Sequence, residues 1–462
     1  SNIADKLITK FYAKETGLHE SAFKNLRTER TALAFKRIIF PHICFKTTQL
    51  QNILEDMKKI VIYHTNKDAF CKEFEFYGTT YTLATGGLHS KDKPAVLKST
   101  DKYVYTHRDV GSFYPSTMIA YNIAPKHLNQ KIFIKLLRNW RDTRIKCKHT
   151  DDEITRIVPG VHNKLAAEAL KIVINAIYGK LGSDTYYLYD RLAQMQVTIN
   201  GQLMALMLVE ELELNGIHCV SANTDGIIVK CPRDKIELCN TIERNWCETN
   251  KLTIDSEYYD LFVTRDINNY VDRQEDGKLE YKGALDPKQY LKDLKKGYDM
   301  PVVAKAACDY FLNGTPVMET LRNHKDILDF CKTQNVGKQF EVVYQKVEHG
   351  KVVDVHSQRH VRFYVSTKGV VIMKENVHDK KRSVLASGKP VIILNKLDDK
   401  DIALRNIDYK YYYEEAYKII NPIKLGISPN QKSNKDNKTL SGKALLKKNF
   451  GLYNNLFDNE EM

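Results

Sequence analysis

The chain has 462 residues, 43% hydrophobic and 28% charged, with a formal net charge of +14 and a pI near 9.1. This length exceeds what one hydrophobic core usually serves, so two to four subdomains are expected, and the composition speaks against global disorder. No apolar run approaches the ~18 residues of a membrane span and the N-terminus lacks the charged-then-apolar order of a secretion signal, which predicts a soluble protein. The excess of positive charge favours a polyanionic partner, either nucleic acid or an acidic membrane. Nine cysteines are scattered without a C-x-x-C pair or a Cys/His cluster at zinc spacing. They read as reduced, mostly buried thiols of a cytosolic protein. The start at Ser1-Asn2, without a methionine, reads as a trimmed end.

Residues 1–100 read as mixed, with helical periodicity over 26–40 and again over 50–62. An aromatic, Thr-rich strand is expected at 76–84, ending at Gly86-Gly87. A lysine-bearing turn at 91–94 leads into an alternating strand at 103–110, and Pro115 suits the first turn of a helix reaching about Asn122. From 130 to 179 the pattern predicts two long helices joined by a polar turn near 149–155, an antiparallel hairpin with basic inner faces. The first carries Lys135, Arg138, Arg141, Arg144, Lys146 and Lys148; the second carries Lys164 and Lys171. A further helix over 194–214 ends at Asn215-Gly216, and the segments 217–220 and 227–230 flank Asn223-Thr-Asp-Gly226 as a hairpin. Next come a helix at 233–250, a strand at 252–263, and from Pro301 a mixture that is strand-rich over 340–373. The tail, from Lys424 through Lys432, Lys435, Lys438, Lys443, Lys447 and Lys448, is basic and polar. It reads equally as a phosphate-binding arm and as a solvated end.

Two segments carry chemistry. Asp109-Val-Gly-Ser-Phe-Tyr-Pro-Ser116 and Asn223-Thr-Asp225-Gly226 each place an aspartate where an apolar strand breaks into a turn. Taken alone, Asp109 suits a turn or a helix cap. Gly111 and Ser112, however, are expected to leave backbone N–H groups free at a helix entrance, a phosphate-binding geometry, with Tyr114 as an aromatic wall. Taken alone, Asp225-Gly226 reads first as an ordinary hairpin turn that needs no function, although Asn223 and Thr224 make its tip unusually polar. If that hairpin pairs beside the Asp109 strand, the two carboxylates can share metals ~3.5–4 Å apart. Lys171, Asn175 and Tyr178 lie on one helical face at i, i+4 and i+7, with Lys164 behind them. They read either as a solvated stripe or as groups that neutralise phosphates, hydrogen-bond nearby and stack under a base, with Gly179 ending the helix. Asp151/Glu153 reads as solvated surface. Asp255/Glu257 lies on a strand, where it either faces solvent or supports a metal site.

These residues resemble the family B DNA polymerases, closest in flavour to viral and phage members. Asp109–Ser116 is similar to motif A, D-x-x-S-L-Y-P-S. Lys171-Ile-Val-Ile-Asn175-Ala-Ile-Tyr178-Gly179 is similar to motif B, K-x3-N-S-x-Y-G, with Ala176 in place of serine. Ala222-Asn-Thr-Asp-Gly226 is similar to motif C, Y-x-D-T-D-S, with Asn223 in place of the first aspartate. The motifs stand in the family's order and approximate spacing, over about residues 81–283.

The resemblance implies an α+β right-hand polymerase with an antiparallel-sheet palm, helical-hairpin fingers and a mixed thumb. The implied division is an N-terminal segment at 1–100, palm at 101–128 and 183–300, fingers at 129–182, and thumb with basic tail at 301–462. It implies that Asp109 and Asp225, with Val110 beside them, hold two Mg²⁺ ions (Mn²⁺ substituting), and that Tyr114 excludes a 2′-hydroxyl. Ser112, Phe113, Lys171, Asn175 and an arginine of the preceding helix would bind the triphosphate. Arg141 is the first choice for that arginine, with Arg138, Arg144 and Lys146 as alternatives. Gly86, Gly87, Tyr178, Gly179, Thr224, Tyr270 and Lys282 would contact template or primer. Asn268-Asn269-Tyr270 replaces a usually lysine-rich stretch, and Ala84 stands where a tyrosine often precedes the glycine pair.

The implied partners are primer-template DNA and dNTPs, in the cytoplasm (the host's, if phage-encoded). The first hundred residues are too short for the family's upstream exonuclease domain, so the chain is expected to be the polymerase part of a longer protein or the product of a split gene, working with a separate exonuclease or replisome proteins. The rivals are another palm enzyme such as a reverse transcriptase or primase-like polymerase, and a catalytically silent DNA-binding protein. A nuclease is the weakest reading.

Overall fold

The computed structural model describes residues 2–23, 26–63, 70–150, 155–289, 297, 299–396 and 406–428. The chain forms two compact units, residues 1–92 with 100–258, and residues 93–99 with 259–462. Asp151, Glu153 and the lysine-rich tail beyond residue 428 lie outside the described residues.

In chain order the first unit contains α1 (Asn2–Thr16), β1 (Ala32–Ala34), α2 (Phe35–Ile38), α3 (Thr48–Lys58), β2 (Val61–Tyr63), β3 (Cys71–Phe76), β4 (Thr79–Ala84) and β5 (Gly87–Ser90). The short β6 (Ala95–Lys98) belongs to the second unit. The first unit continues with β7 (Tyr103–Val110), α4 (Phe113–Ala120), α5 (Gln130–His149), α6 (Asn163–Leu181), α7 (Arg191–Leu214), β8 (His218–Asn223), β9 (Gly226–Pro232), α8 (Ile236–Asn250) and the start of β10 (Ile254–Asp266). Its sheet runs β10-β7-β9-β8-β5-β4-β3, with every register from β7 through β3 antiparallel.

The helical hairpin α5/α6 forms where basic and apolar residues alternate at helical spacing, and Asn129 caps α5 by accepting the Ile132 amide at 3.2 Å. Other expectations change. The 26–40 segment is not a helix but β1 followed by the single turn α2, because so short an apolar run serves either element and pairing with β2 decides it. The strand expected at 76–84 is a hairpin whose turn is Tyr77-Gly78.

Helix α7 also corrects the expectation that no segment could span a membrane. By length and composition it could, yet 78% of its apolar window is buried inside the protein. It is a core helix of the first unit, and three of the polar side chains buried along it hold surrounding segments. Asn200 accepts the Phe40 amide at 2.7 Å and donates to the Ile38 carbonyl at 2.9 Å. Gln202 makes a two-way bond with the backbone of Ala84, at 3.0 and 3.1 Å. Glu210 accepts from the amides of Lys46 and Thr47 and from the Thr47 hydroxyl, at 2.9, 2.7 and 2.6 Å. Glu210→Ala strands those two amides at the start of α3 and is expected to cost about 2–5 kcal/mol in urea unfolding, with Glu210→Gln recovering part of it.

The second unit contains the remainder of β10 from Tyr259, β11 (Asn269–Gln274), β12 (Leu279–Lys282), α9 (Pro301–Asn313), α10 (Val317–Asn323), β13 (Lys332–Asn335), β14 (Phe340–Glu348), β15 (Lys351–Ser357), β16 (His360–Val370), β17 (Ile372–Asn376), β18 (Arg382–Val384), β19 (Val391–Ile393) and α11 (Tyr409–Leu425). Its β10 portion pairs with β11 and β6. Separate sheets run β13-β16-β19 and β15-β14-β17-β18. A core of Val302, Ala306, Phe330, Phe363, Tyr364 and Tyr412 joins α9 and α11 to these strands. Across the chain the nine cysteines are free thiols, with Cys44 and Cys71 exposed.

Candidate active site

Strand β7 presents Asp109 one residue before its end, because Val104 and Val110 are buried in the sheet while Gly111 breaks the run. The β7–β9 register sets Asp109 opposite Gly226, and the Val110 amide donates to the Asp225 carbonyl at 2.8 Å. The Asn223-Thr-Asp-Gly turn therefore delivers the Asp225 carboxylate to the strand end that carries Asp109. Thr224 sits at φ 54°, an uncommon conformation for a β-branched residue, and its amide donates to the Leu88 carbonyl at 2.8 Å. Asn223 is bonded to His89 Nδ1 at 3.0 Å.

Asp109 is half-buried and its carboxyl is pushed up to about 7. Desolvation is the main cause; the charges of Asp225, Asp255 and Glu257 add to it, and Lys148 opposes them. Lys148 lies 3.7 Å from Asp255. Among the described residues no group of three His, Cys, Asp or Glu side chains is gathered at ligand spacing. What is gathered is a pair of mutually repelling carboxylates followed by the backbone of Val110. These are hard oxygen donors of the kind Mg²⁺ accepts together with substrate phosphates, so the residues present fit a divalent cation.

Beside the carboxylates, α4 opens with Ser112 in the left-handed region at φ 48°, and Arg144 of α5 donates to its hydroxyl at 2.7 Å. The Nε of Arg144 is buried without a hydrogen-bond partner among the described residues. Arg141 turns instead to its neighbour Asp142 at 2.7 Å, so Arg144 is the arginine brought to the site. Gly111 also departs from expectation. Its amide is consumed by the Thr253 carbonyl at 2.9 Å and is not free for a phosphate.

Tyr114 packs on Tyr178 of α6 with ring centroids 4.4 Å apart, and its hydroxyl donates to the Gly86 carbonyl at 2.9 Å. Burial, followed by Tyr178 and Asp225, holds that hydroxyl neutral by pushing its pKa far up. Gly87 closes the same corner: at φ 150°, a Cβ there would lie 3.2 Å from the Thr224 hydroxyl oxygen and 3.5 Å from that of Tyr114. Only glycine suits the position. Phe113 is buried behind Tyr114, with ring centroids 5.9 Å apart.

Asp109, Ser112, Phe113, Tyr114, Tyr178, Gly86, Gly87, Thr224 and Asp225 thus come together. Lys171, Asn175 and Gly179 are exposed on α6; neither Lys171 nor Asn175 makes a side-chain bond among the described residues. Tyr270 and Lys282 belong to the second unit, paired across β11 and β12 with the ammonium 5.2 Å from the ring centroid. The sequence reading missed His89 and passed over Arg108. The signal for Arg108 was a charge in the alternating row of Val104, Thr106 and Val110, the inward positions of the strand.

The chain is 26% identical over 196 residues to DNA polymerase 1 of Saccharolobus solfataricus, covering 41% of this chain and 22% of that protein. It is 25% identical over 166 residues to DNA polymerase 1 of Aeropyrum pernix, covering 35% and 17%. The sequence similarity is to DNA polymerases. The chain spans about a fifth of the length of these curated relatives. No family model matches it. Among solved structures, a family B DNA polymerase from Pyrobaculum calidifontis aligns with a TM-score of 0.41 and 17% identity over 80% of this chain and 49% of that one.

Proposed function

We propose that the first unit carries the reaction centre of a template-directed DNA polymerase that adds dNTPs to a primer 3′-hydroxyl. The observation that carries this reading is the β7–β9 register, which sets the Asp109 and Asp225 carboxylates together beside Tyr114. Similarity to the archaeal DNA polymerases supports it. The viral or phage flavour rests on the motif resemblance alone.

Asp109 and Asp225, with the Val110 backbone, would hold Mg²⁺, which when bound activates the attacking hydroxyl and neutralises charge on the leaving pyrophosphate. The chain's own side chains position the reactants. Arg144, Lys171 and Asn175 neutralise and orient the triphosphate, with Ser112 fixing Arg144. Arg144 replaces Arg141 in this role. Tyr114, braced by Tyr178 and the Gly86 carbonyl, forms the wall against the sugar. Gly86 and Gly87 let the template backbone approach, and Tyr270 and Lys282 serve the primer strand. In this reading α5 and α6 are the fingers, the sheet of the first unit is the palm, and the second unit supplies the thumb. Base pairing reads the sequence while the protein reads shape and phosphates.

The test is primer extension on a DNA template with Mg²⁺, run with dNTPs and with rNTPs. Extension with dNTPs and not with rNTPs is expected. Tyr114→Ala opens the wall and is expected to raise ribonucleotide use relative to dNTP by about 10–100-fold, the scale of a steric pocket contact. An unchanged ratio would remove Tyr114 from the sugar site, and no extension at all despite primer-template binding would overturn the polymerase reading.

A further inference from the structure

Helix α5 has two basic faces. Arg144 and Lys148 turn toward Ser112 and Asp255 at the reaction site. Lys131, Lys135, Arg138, Asp142 and Lys146 recur at i, i+4, i+7, i+11 and i+15, which places them on the opposite side of the helix. This second stripe lines an open cavity of about 490 Å³ together with Asn122. The Asp142 carboxylate is taken up by Arg141, and Lys135 by Glu15 at 2.6 Å. Lys131, Arg138 and Lys146 are exposed and make no ion pair among the described residues, so the groove is left cationic. From Lys131 to Lys146 it follows about 22 Å of helix.

We infer that this groove holds the sugar–phosphate backbone of the unpaired template strand. The inference rests on the polymerase reading. A phosphate here lies on the far side of α5 from Arg144, so it belongs neither to the incoming nucleotide nor to the reacting primer end. The unpaired template is the strand that remains. The stripe is one helix wide, which suits a single strand better than a duplex. Ile134 is the apolar side chain in the lining, and no aromatic residue is present to stack a base or anchor a protein partner. The contacts are therefore to phosphates, independent of sequence and sensitive to salt.

The test measures fluorescence anisotropy of the full chain with a primer-template bearing a long 5′ template overhang and with the same duplex blunt-ended. The variant is Lys131→Ala/Arg138→Ala/Lys146→Ala, three exposed changes away from the reaction site. The variant is expected to bind the overhang DNA about tenfold more weakly at low salt while binding the blunt duplex like the parent. Its slope of log affinity against log salt should be shallower by about 2, at about 0.7 per single-strand phosphate contact. Equal loss on both DNAs, or no loss on either, overturns the inference, and so does loss of binding to an acidic peptide with overhang binding intact. If the parent binds the overhang through these residues yet extends no primer, the polymerase reading falls and the groove remains a single-strand site. If it extends primers but the variant keeps the overhang preference, the groove alone falls.

Discussion

Asp225→Asn is expected to lower primer extension by about 10³-fold or more, while primer-template affinity stays within a few-fold. The substitution preserves the turn. The Asp225 backbone that accepts from Val110 is unchanged, and asparagine tolerates the turn conformation as aspartate does. What it removes is one of the two negative charges that converge where β7 meets β9. Asp109→Asn should cost as much, and the double variant little more than either single one, because the two carboxylates act as a unit. Single-turnover extension with saturating dNTP and Mg²⁺ makes the measurement. The same substitution removes the neighbour whose charge helps raise the Asp109 carboxyl, so the folded protein should be as stable as the parent or more so. Activity retained within tenfold would remove Asp225 from the centre; loss of activity together with loss of stability would make its role structural.

Arg108→Met is expected to destabilise the first unit by about 3–5 kcal/mol in urea unfolding. Arg108 sits one residue before Asp109, on the face of β7 turned toward α8, and its side chain is only 2% exposed. Its guanidinium pairs with Glu243 at 2.6 Å and donates to the Ser256 hydroxyl at 2.6 Å. Methionine leaves Glu243 partly buried without its cation, and that stranded charge is the main cost. Arg108→Met/Glu243→Met removes both charges and should recover most of the loss. An equally unstable double variant would place the cost in packing. Because the clamp anchors the strand that presents Asp109, extension by the single variant should also fall when measured below its unfolding transition.

Much of this site is local in sequence, and such features were legible. The hairpin around Asn223-Thr-Asp-Gly226 follows from a polar turn between apolar runs, and β8 and β9 flank it. Helices α5 and α6 follow from periodicity sustained over five turns or more, although α6 begins at Asn163, later than the turn expected near 149–155 implies. Tyr114 and Asp109 stand five residues apart, so one strand-to-helix break places both. Contacts across the fold were not legible. Arg141 and Arg144 carry the same charge on the same helix, less than one turn apart, and only the approach of α4 brings Arg144 to Ser112.

The amino-acid pattern by itself determined the type and order of most elements and which aspartates end strands, because periodicity, turn chemistry and charge act over a few residues. Tertiary structure decided the rest. It decided that α7, apolar enough for a membrane, is the core of the first unit, since burial depends on what surrounds a helix and not on its composition. It decided that the Gly111 amide is spent on Thr253, and that the boundary between the two units falls within β10. It also divided the charges of α5 between the side that meets Ser112 and the far groove, because the same lysines and arginines acquire different surroundings only when neighbouring elements cover one face and leave the other open.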